Sequence, residues 1–109
     1  MADWHVGLAE LIDRIEGSGE TRAVVASRHG TMRAILYAPR GQDLQAPHDQ
    51  DEVYIVQSGA GTMVKAGQSR RFGPGDLIFV EAGAAHHFEF FSDDFVAWAI
   101  FWGPEGGEG

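Results

Sequence analysis

Residues 46–61 read APHDQDEVYIVQSGAG. Polar side chains at His48, Gln50 and Glu52 lead into the apolar run VYIV, which stops at a Ser-Gly-Ala-Gly corner. Successive side chains of an extended chain point to opposite faces, so a strand beginning at the first of these residues would turn His48, Gln50 and Glu52 the same way. With Glu52 inward, Tyr54 and Val56 follow it. Charged and coordinating groups aimed into a small domain have to be satisfied by one another, by a bound cation or by a ligand.

Outward from that stretch the period of two continues. Alternating or apolar runs fall at 22–28, 32–38, 53–57, 62–66, 68–72, 77–80, 86–91 and 95–102. Between them stand turn-forming groups such as Pro39-Arg40-Gly41, Gly73-Pro74-Gly75-Asp76 and Ser92-Asp93-Asp94. Fifteen glycines serve these many corners. Seven or eight short strands at regular spacing predict an all-β sandwich or barrel, with no room for βαβ crossovers. The exception is the front of the chain. Leu8, Leu11, Ile12 and Ile15 recur at helical spacing, and Gly17-Ser18-Gly19 ends the pattern. The expected organisation is a helix and linker over 1–19, a barrel over 20–102 and a flexible, apolar-poor tail over 103–109.

Composition narrows the partners. Sixteen acidic against eight basic residues give a net charge of −8, which repels phosphate backbones and anionic membrane surfaces, so neither nucleic acid nor membrane is expected. Cysteine is absent, which removes disulfides, thiolate ligands and a thiol nucleophile. No basic, apolar leader opens the sequence and no apolar run is long enough to span a bilayer, so a cytoplasmic location is expected. The strand FVAWAIFW (95–102) is apolar on both faces, Phe95, Ala97, Ala99 and Phe101 on one and Val96, Trp98, Ile100 and Trp102 on the other. Its outer face therefore needs a cover, for which a second copy of the chain in a homodimer is expected, with the helix alone as the alternative.

Two histidine-bearing segments resemble the motifs of the cupin family. In the first, Glu52 follows His48 at the spacing of the family's second histidine and is itself followed by six residues and then Gly59. In the second, Gly75, Gly83 and His86 fall in register, while Glu81 stands where proline is usual and Phe90 where asparagine is usual. The first-histidine position holds Ala46. The chain thus resembles a small single-domain cupin over about residues 31 to 102. The resemblance implies a double-stranded β-helix, the jelly-roll barrel, that often dimerises. It also implies metal ligation by His48, Glu52 and His86.

Two imidazoles and a carboxylate suit a divalent transition metal such as iron, manganese, nickel or zinc, with positions left open for a substrate. Gln50 is a candidate fourth ligand through its carbonyl oxygen. Tyr54 is the candidate catalytic residue, placed to orient substrate or supply a proton. Tyr54, Phe88, Phe90 and Phe79 predict an aromatic pocket for a small, partly apolar ligand. A metal-dependent oxygenase is the leading reaction class. The alternatives are a metal-free epimerase or isomerase, with His48 or His86 as general base and Tyr54 as acid, and a binding protein without turnover. In a site that no longer holds metal, Glu52 would bridge the two imidazoles by hydrogen bonds. His5, His29 and His87 read as surface residues. Gly59-Ala60-Gly61 is no dinucleotide loop, since Val64 occupies the third-glycine position and no helix follows.

Overall fold

The structure is a computed structural model that describes residues 4–43 and 45–109, so residues 1–3 of the expected N-terminal segment lie outside it. After helix α1 (Leu8–Glu16) and a 3-10 turn (Gly19–Thr21) come eight strands: β1 (Ala23–His29), β2 (Met32–Tyr37), β3 (Asp51–Ser58), β4 (Gly61–Lys65), β5 (Gln68–Phe72), β6 (Leu77–Val80), β7 (His86–Glu89) and β8 (Val96–Trp102). They form two antiparallel sheets, one of five strands in the order β1-β2-β8-β3-β6 and one of three in the order β5-β4-β7. This is the expected all-β jelly roll with a short N-terminal helix. The strand ends differ from the sequence reading by a residue or two at most positions.

The inner faces of the two sheets close on an aromatic core. Tyr54 and Val56 of β3, Met63 of β4, Phe72 of β5, Val80 of β6, Phe88 of β7 and Phe101 of β8 are all buried. Phe88 lies edge-on to Phe72 within the small sheet (centroids 5.5 Å apart) and to Tyr54 (5.0 Å), and the Tyr54 contact ties the small sheet to the large one. Gly59 fits the β3–β4 corner for two reasons. Its φ is +80°, and a Cβ there would stand 2.5 Å from Phe95 Cα.

The outer face of the large sheet is only partly covered. Leu11 and Ile15 of α1 are buried against Leu36 and Ala38, with Val24, Ala26, Val96 and Trp98 packed around them. The helix thus docks on its own barrel, over β1, β2 and the start of β8. Across β3 and β6 the face stays open, and Ile55, Leu77 and Phe79 are exposed. Phe79 is therefore an outer-face residue, because its neighbours Ile78 and Val80 take the inward positions.

Two further expectations meet a different structure. Phe90 does not follow Phe88 inward. Strand β7 ends at Glu89, and a φ of +51° at Phe90 swings that ring out to 87% exposure. The segment after Trp102 folds back instead of fraying. Gly103 N donates to Thr31 Oγ1, Gly106 N to the Asp49 carbonyl and Glu108 N to Asp51 Oδ2. Asp51 also accepts from Ala82 N, and these two main-chain N–H groups hold its carboxyl below the usual carboxylate range.

Candidate metal centre

Glu52, the second residue of β3, lies between Phe101 of β8 and Val80 of β6, in the middle of the large sheet. His86 opens β7 on the opposing sheet, beside Lys65 of β4. His48 precedes β3 and sits on a loop, with its ring edge-on to Phe101 at 4.8 Å and 89°. Packing therefore orients His48 where strand geometry does not. The three side chains meet across the barrel interior. His48 Nε2 lies 2.7 Å from Glu52 Oε1, and His86 Nε2 lies 3.6 Å from the same oxygen. The ligand atoms of all three lie within 4.8 Å of one another. Glu52 and the His86 side chain are fully buried, and the His48 side chain keeps 17% exposure toward a cleft lined by Arg33, Asp49 and Glu105.

The proton arrangement follows from the outer contacts. His48 Nδ1 bonds the carbonyl of Gln50 at 2.7 Å, and His86 Nδ1 bonds the carbonyl of Ala84 at 2.9 Å. A carbonyl only accepts, so each Nδ1 carries the hydrogen and each Nε2 presents a lone pair inward. Glu52 adds a carboxylate oxygen. Three acceptors thus converge, and Tyr54, the adjacent donor, has its hydrogen committed elsewhere. Its hydroxyl bonds Gln45 Oε1 and lies 3.3 Å from His86 Nε2. Gln45 Nε2 donates to Asp43 Oδ2, which fixes its oxygen toward Tyr54. A cation or a shared proton has to occupy the space between these acceptors. Histidines anchored through Nδ1 to carbonyls, with Nε2 aimed at a carboxylate, are what a metal ligand set requires. The residues present fit a divalent transition metal.

The local electrostatics favour positive charge between these groups, whether a proton or a cation. Burial pulls the His86 imidazole down, but the Glu52 carboxylate and the Ala84 carbonyl outweigh it, and the net shift is upward. Tyr54 is pushed far above the ordinary phenol range, first by burial and then by the charge of Glu52, so its hydroxyl stays protonated. Beside the centre is a cavity of about 200 Å³ lined by Ile35, Tyr37, Gln45, Glu52, Tyr54 and Phe101, among others.

Of the residues singled out in the sequence, the structure brings together His48, Glu52, His86 and Tyr54. Gln50 is tied elsewhere. Its Nε2 donates to the carbonyls of Thr31 and Gly103, and it meets the centre only through its main-chain oxygen on His48. The period of two starts at Asp51, not at His48, which is why Gln50 leaves the shared face. Ala46 is exposed. The groups missed are Asp43 and Gln45. Asp43 accepts hydrogen bonds from Tyr37 Oη (2.5 Å), Gln45 N (3.1 Å), Gln45 Nε2 (2.8 Å) and Phe88 N (2.7 Å). They lie in a loop without periodicity, so only an Asp-x-Gln close to the His48 motif could have pointed to them.

A family model described as a cupin domain matches residues 34–102. An uncharacterized protein of Streptomyces coelicolor is 38% identical over 63 residues, 58% of this chain, and the chain spans about 60% of that curated relative's length. Solved structures share the fold at low identity. A cupin 2 conserved barrel domain protein of Salinispora arenicola superposes with a TM-score of 0.64 at 22% identity, over 75% of each chain. KdgF from Halomonas gives 0.65 at 19% identity, over 76% of this chain and 80% of its own. A putative mannose-6-phosphate isomerase from Ralstonia eutropha gives 0.60 at 20%, over 75% and 85%.

Proposed function

The chain belongs to the cupin family, and from that membership we propose that its barrel is a metal-dependent enzyme site for a small, partly apolar ligand. The metal is a divalent transition ion held by His48, Glu52 and His86. The observation that carries this reading is the meeting of three acceptor atoms within 4.8 Å, with both histidine Nδ1 hydrogens already given to carbonyls. A bound cation there supplies Lewis acidity toward an oxygen donor and, if it is iron, one-electron chemistry. The reaction class to test first is oxygenation.

The chain's own groups set the substrate. Ile35, Ala99 and Phe101 give the cavity an apolar wall, and Tyr54 and Gln45 give it a hydrogen-bonding corner. Tyr54, kept protonated, reaches a ligand oxygen by exchanging its bond to Gln45 Oε1 for one to the ligand, and does not act as a base. Among the described lining residues there is no lysine or arginine, so the phosphorylated sugar named for the Ralstonia relative is not carried over. The small volume favours a ligand of about ten heavy atoms or fewer.

A second reading rests on the 2.7 Å contact between His48 Nε2 and Glu52 Oε1, which one shared proton also satisfies. In that case the site is a metal-free isomerase in which His86 and Glu52 move the proton. Elemental analysis of tag-free protein, with His86→Ala as control, separates the two. About one equivalent of iron, manganese, nickel or zinc, lost in the variant, is the expected result. Less than a tenth of an equivalent after refilling with each metal overturns the metal reading.

The open half of the large sheet, around Ile55, supports a homodimer in which a second copy covers what α1 leaves bare.

A further inference from the structure

We propose that the cleft between the free edges of the two sheets is a second binding site, one that takes a small organic anion with an apolar body, such as an alkyl carboxylate. Strand β5 is the edge of the small sheet and β6 the edge of the large one, and between them opens a cleft of about 470 Å³. Its floor is Met63, Phe72 and Ile78, and Leu77 and Phe79 stand at its rim.

Strand register decides which cation faces it. Arg70 pairs with Met63, and Phe72 follows two residues later. Met63 and Phe72 are both buried between the sheets, so Arg70 projects from that same inner face. Among the described residues, its guanidinium has no hydrogen bond and no ion pair, in a chain with 16 carboxylates to 8 bases. Arg71 also borders the cleft, but it pairs with Thr62 and so leaves β5 from the opposite face, and the remaining charges are engaged. Lys65 bonds Glu81 at 2.9 Å and the Phe79 carbonyl at 3.2 Å, and the Asp76 carboxylate accepts Gly73 N at 2.9 Å. An unpaired planar donor fork above an apolar floor is complementary to a carboxylate carrying a hydrocarbon tail.

This site is separate from the metal centre and does not rest on the metal reading. No described residue lines both cavities, and the ring contacts of Phe88 with Phe72 and Tyr54 stand between them.

The test is calorimetric titration of the full chain with decanoate, together with proton–nitrogen and methyl NMR. Binding should shift the Met63 methyl and the Arg70 side-chain signal. Arg70→Gln should weaken it by about tenfold or more. Decanol should bind far more weakly than decanoate. Arg28→Gln, which changes the net charge equally on the distant edge strand β1, should bind as the unaltered chain does. His86→Ala should also bind normally, which separates this cleft from carboxylate capture at the metal centre. The proposal is overturned by no binding, by equal binding of decanol, by an equal loss in Arg28→Gln or His86→Ala, or by full affinity in Arg70→Gln.

Discussion

His48 Nε2 stands 2.7 Å from Glu52 Oε1, while the other nitrogen of the same ring is engaged by the carbonyl of Gln50. Two acceptors at that distance repel unless a proton or a cation joins them, so the contact reports on what the site holds. Glu52→Gln keeps the shape and removes the charge. The expected outcome is a loss of metal affinity greater than the ~10–100-fold that removal of an outer hydrogen-bond partner costs. Competition against a chelator of known affinity measures it, and unchanged affinity would remove Glu52 from the ligand set.

Asp43 holds the corner of the cavity from beneath. Its carboxylate joins Tyr37 of β2, the loop at Gln45 and the main chain of Phe88 on β7, and through Gln45 it fixes the hydroxyl of Tyr54. Asp43→Ala strands these donors in a half-buried setting. The expected cost is about 2–4 kcal/mol in urea unfolding, since buried groups left without partners cost more than the bonds themselves gain. Gln45→Ala should cost less, about 1–2 kcal/mol, and should loosen ligand binding without moving metal content.

How much of this was legible in the sequence depended on periodicity. Strands with two apolar faces or a clean alternation, such as β8, declared themselves, and Glu52, Tyr54 and His86 lie on such strands. Parity misplaced the residues beyond the strand ends. Gln50 lies before β3 starts, and Phe90 lies after β7 has turned through a positive φ. The sequence groups Phe79 with the pocket aromatics, yet register with Val53 puts it on the outer face of the large sheet. Asp43 and Gln45 work through hydrogen bonds that a loop makes to β2, β3 and β7, and no strand or helix period encodes those. The closing segment reads as a tail because it buries no apolar group. Main-chain N–H groups pin it instead, and composition is blind to them.

That pinning makes a pH prediction. Asp51 accepts Glu108 N and Ala82 N in the folded state, so its native pKa lies below its unfolded value. The stability it adds is therefore fully present above the unfolded carboxylate pKa, about 3.9, and is lost as pH falls through the lower native value. Asp51→Asn should be less stable than the unaltered chain near neutral pH, and the gap should close on acidification below about pH 4. Urea midpoints taken across that range measure it. A gap independent of pH would mean that Asp51 acts through packing alone.

The last prediction concerns the uncovered sheet face. Register sets Ile55 between Leu77 of β6 and Trp98 of β8, so its side chain sits at the centre of the face that α1 does not reach. An apolar surface of this kind, on a chain otherwise rich in charge, is expected to be covered by a partner. A second copy covers it by a two-fold arrangement in which Ile55 approaches its own counterpart or a near neighbour. Ile55→Asp would place two carboxylates in that contact, where the loss of charge hydration outweighs any packing gained. Sedimentation velocity should show a dimer for the unaltered chain and a monomer for the variant, with the circular dichroism of the folded barrel retained. Ala9→Asp, on the exposed side of α1, should leave the dimer intact. A variant Ile55→Asp that sediments as a dimer would move the interface to another face of the barrel.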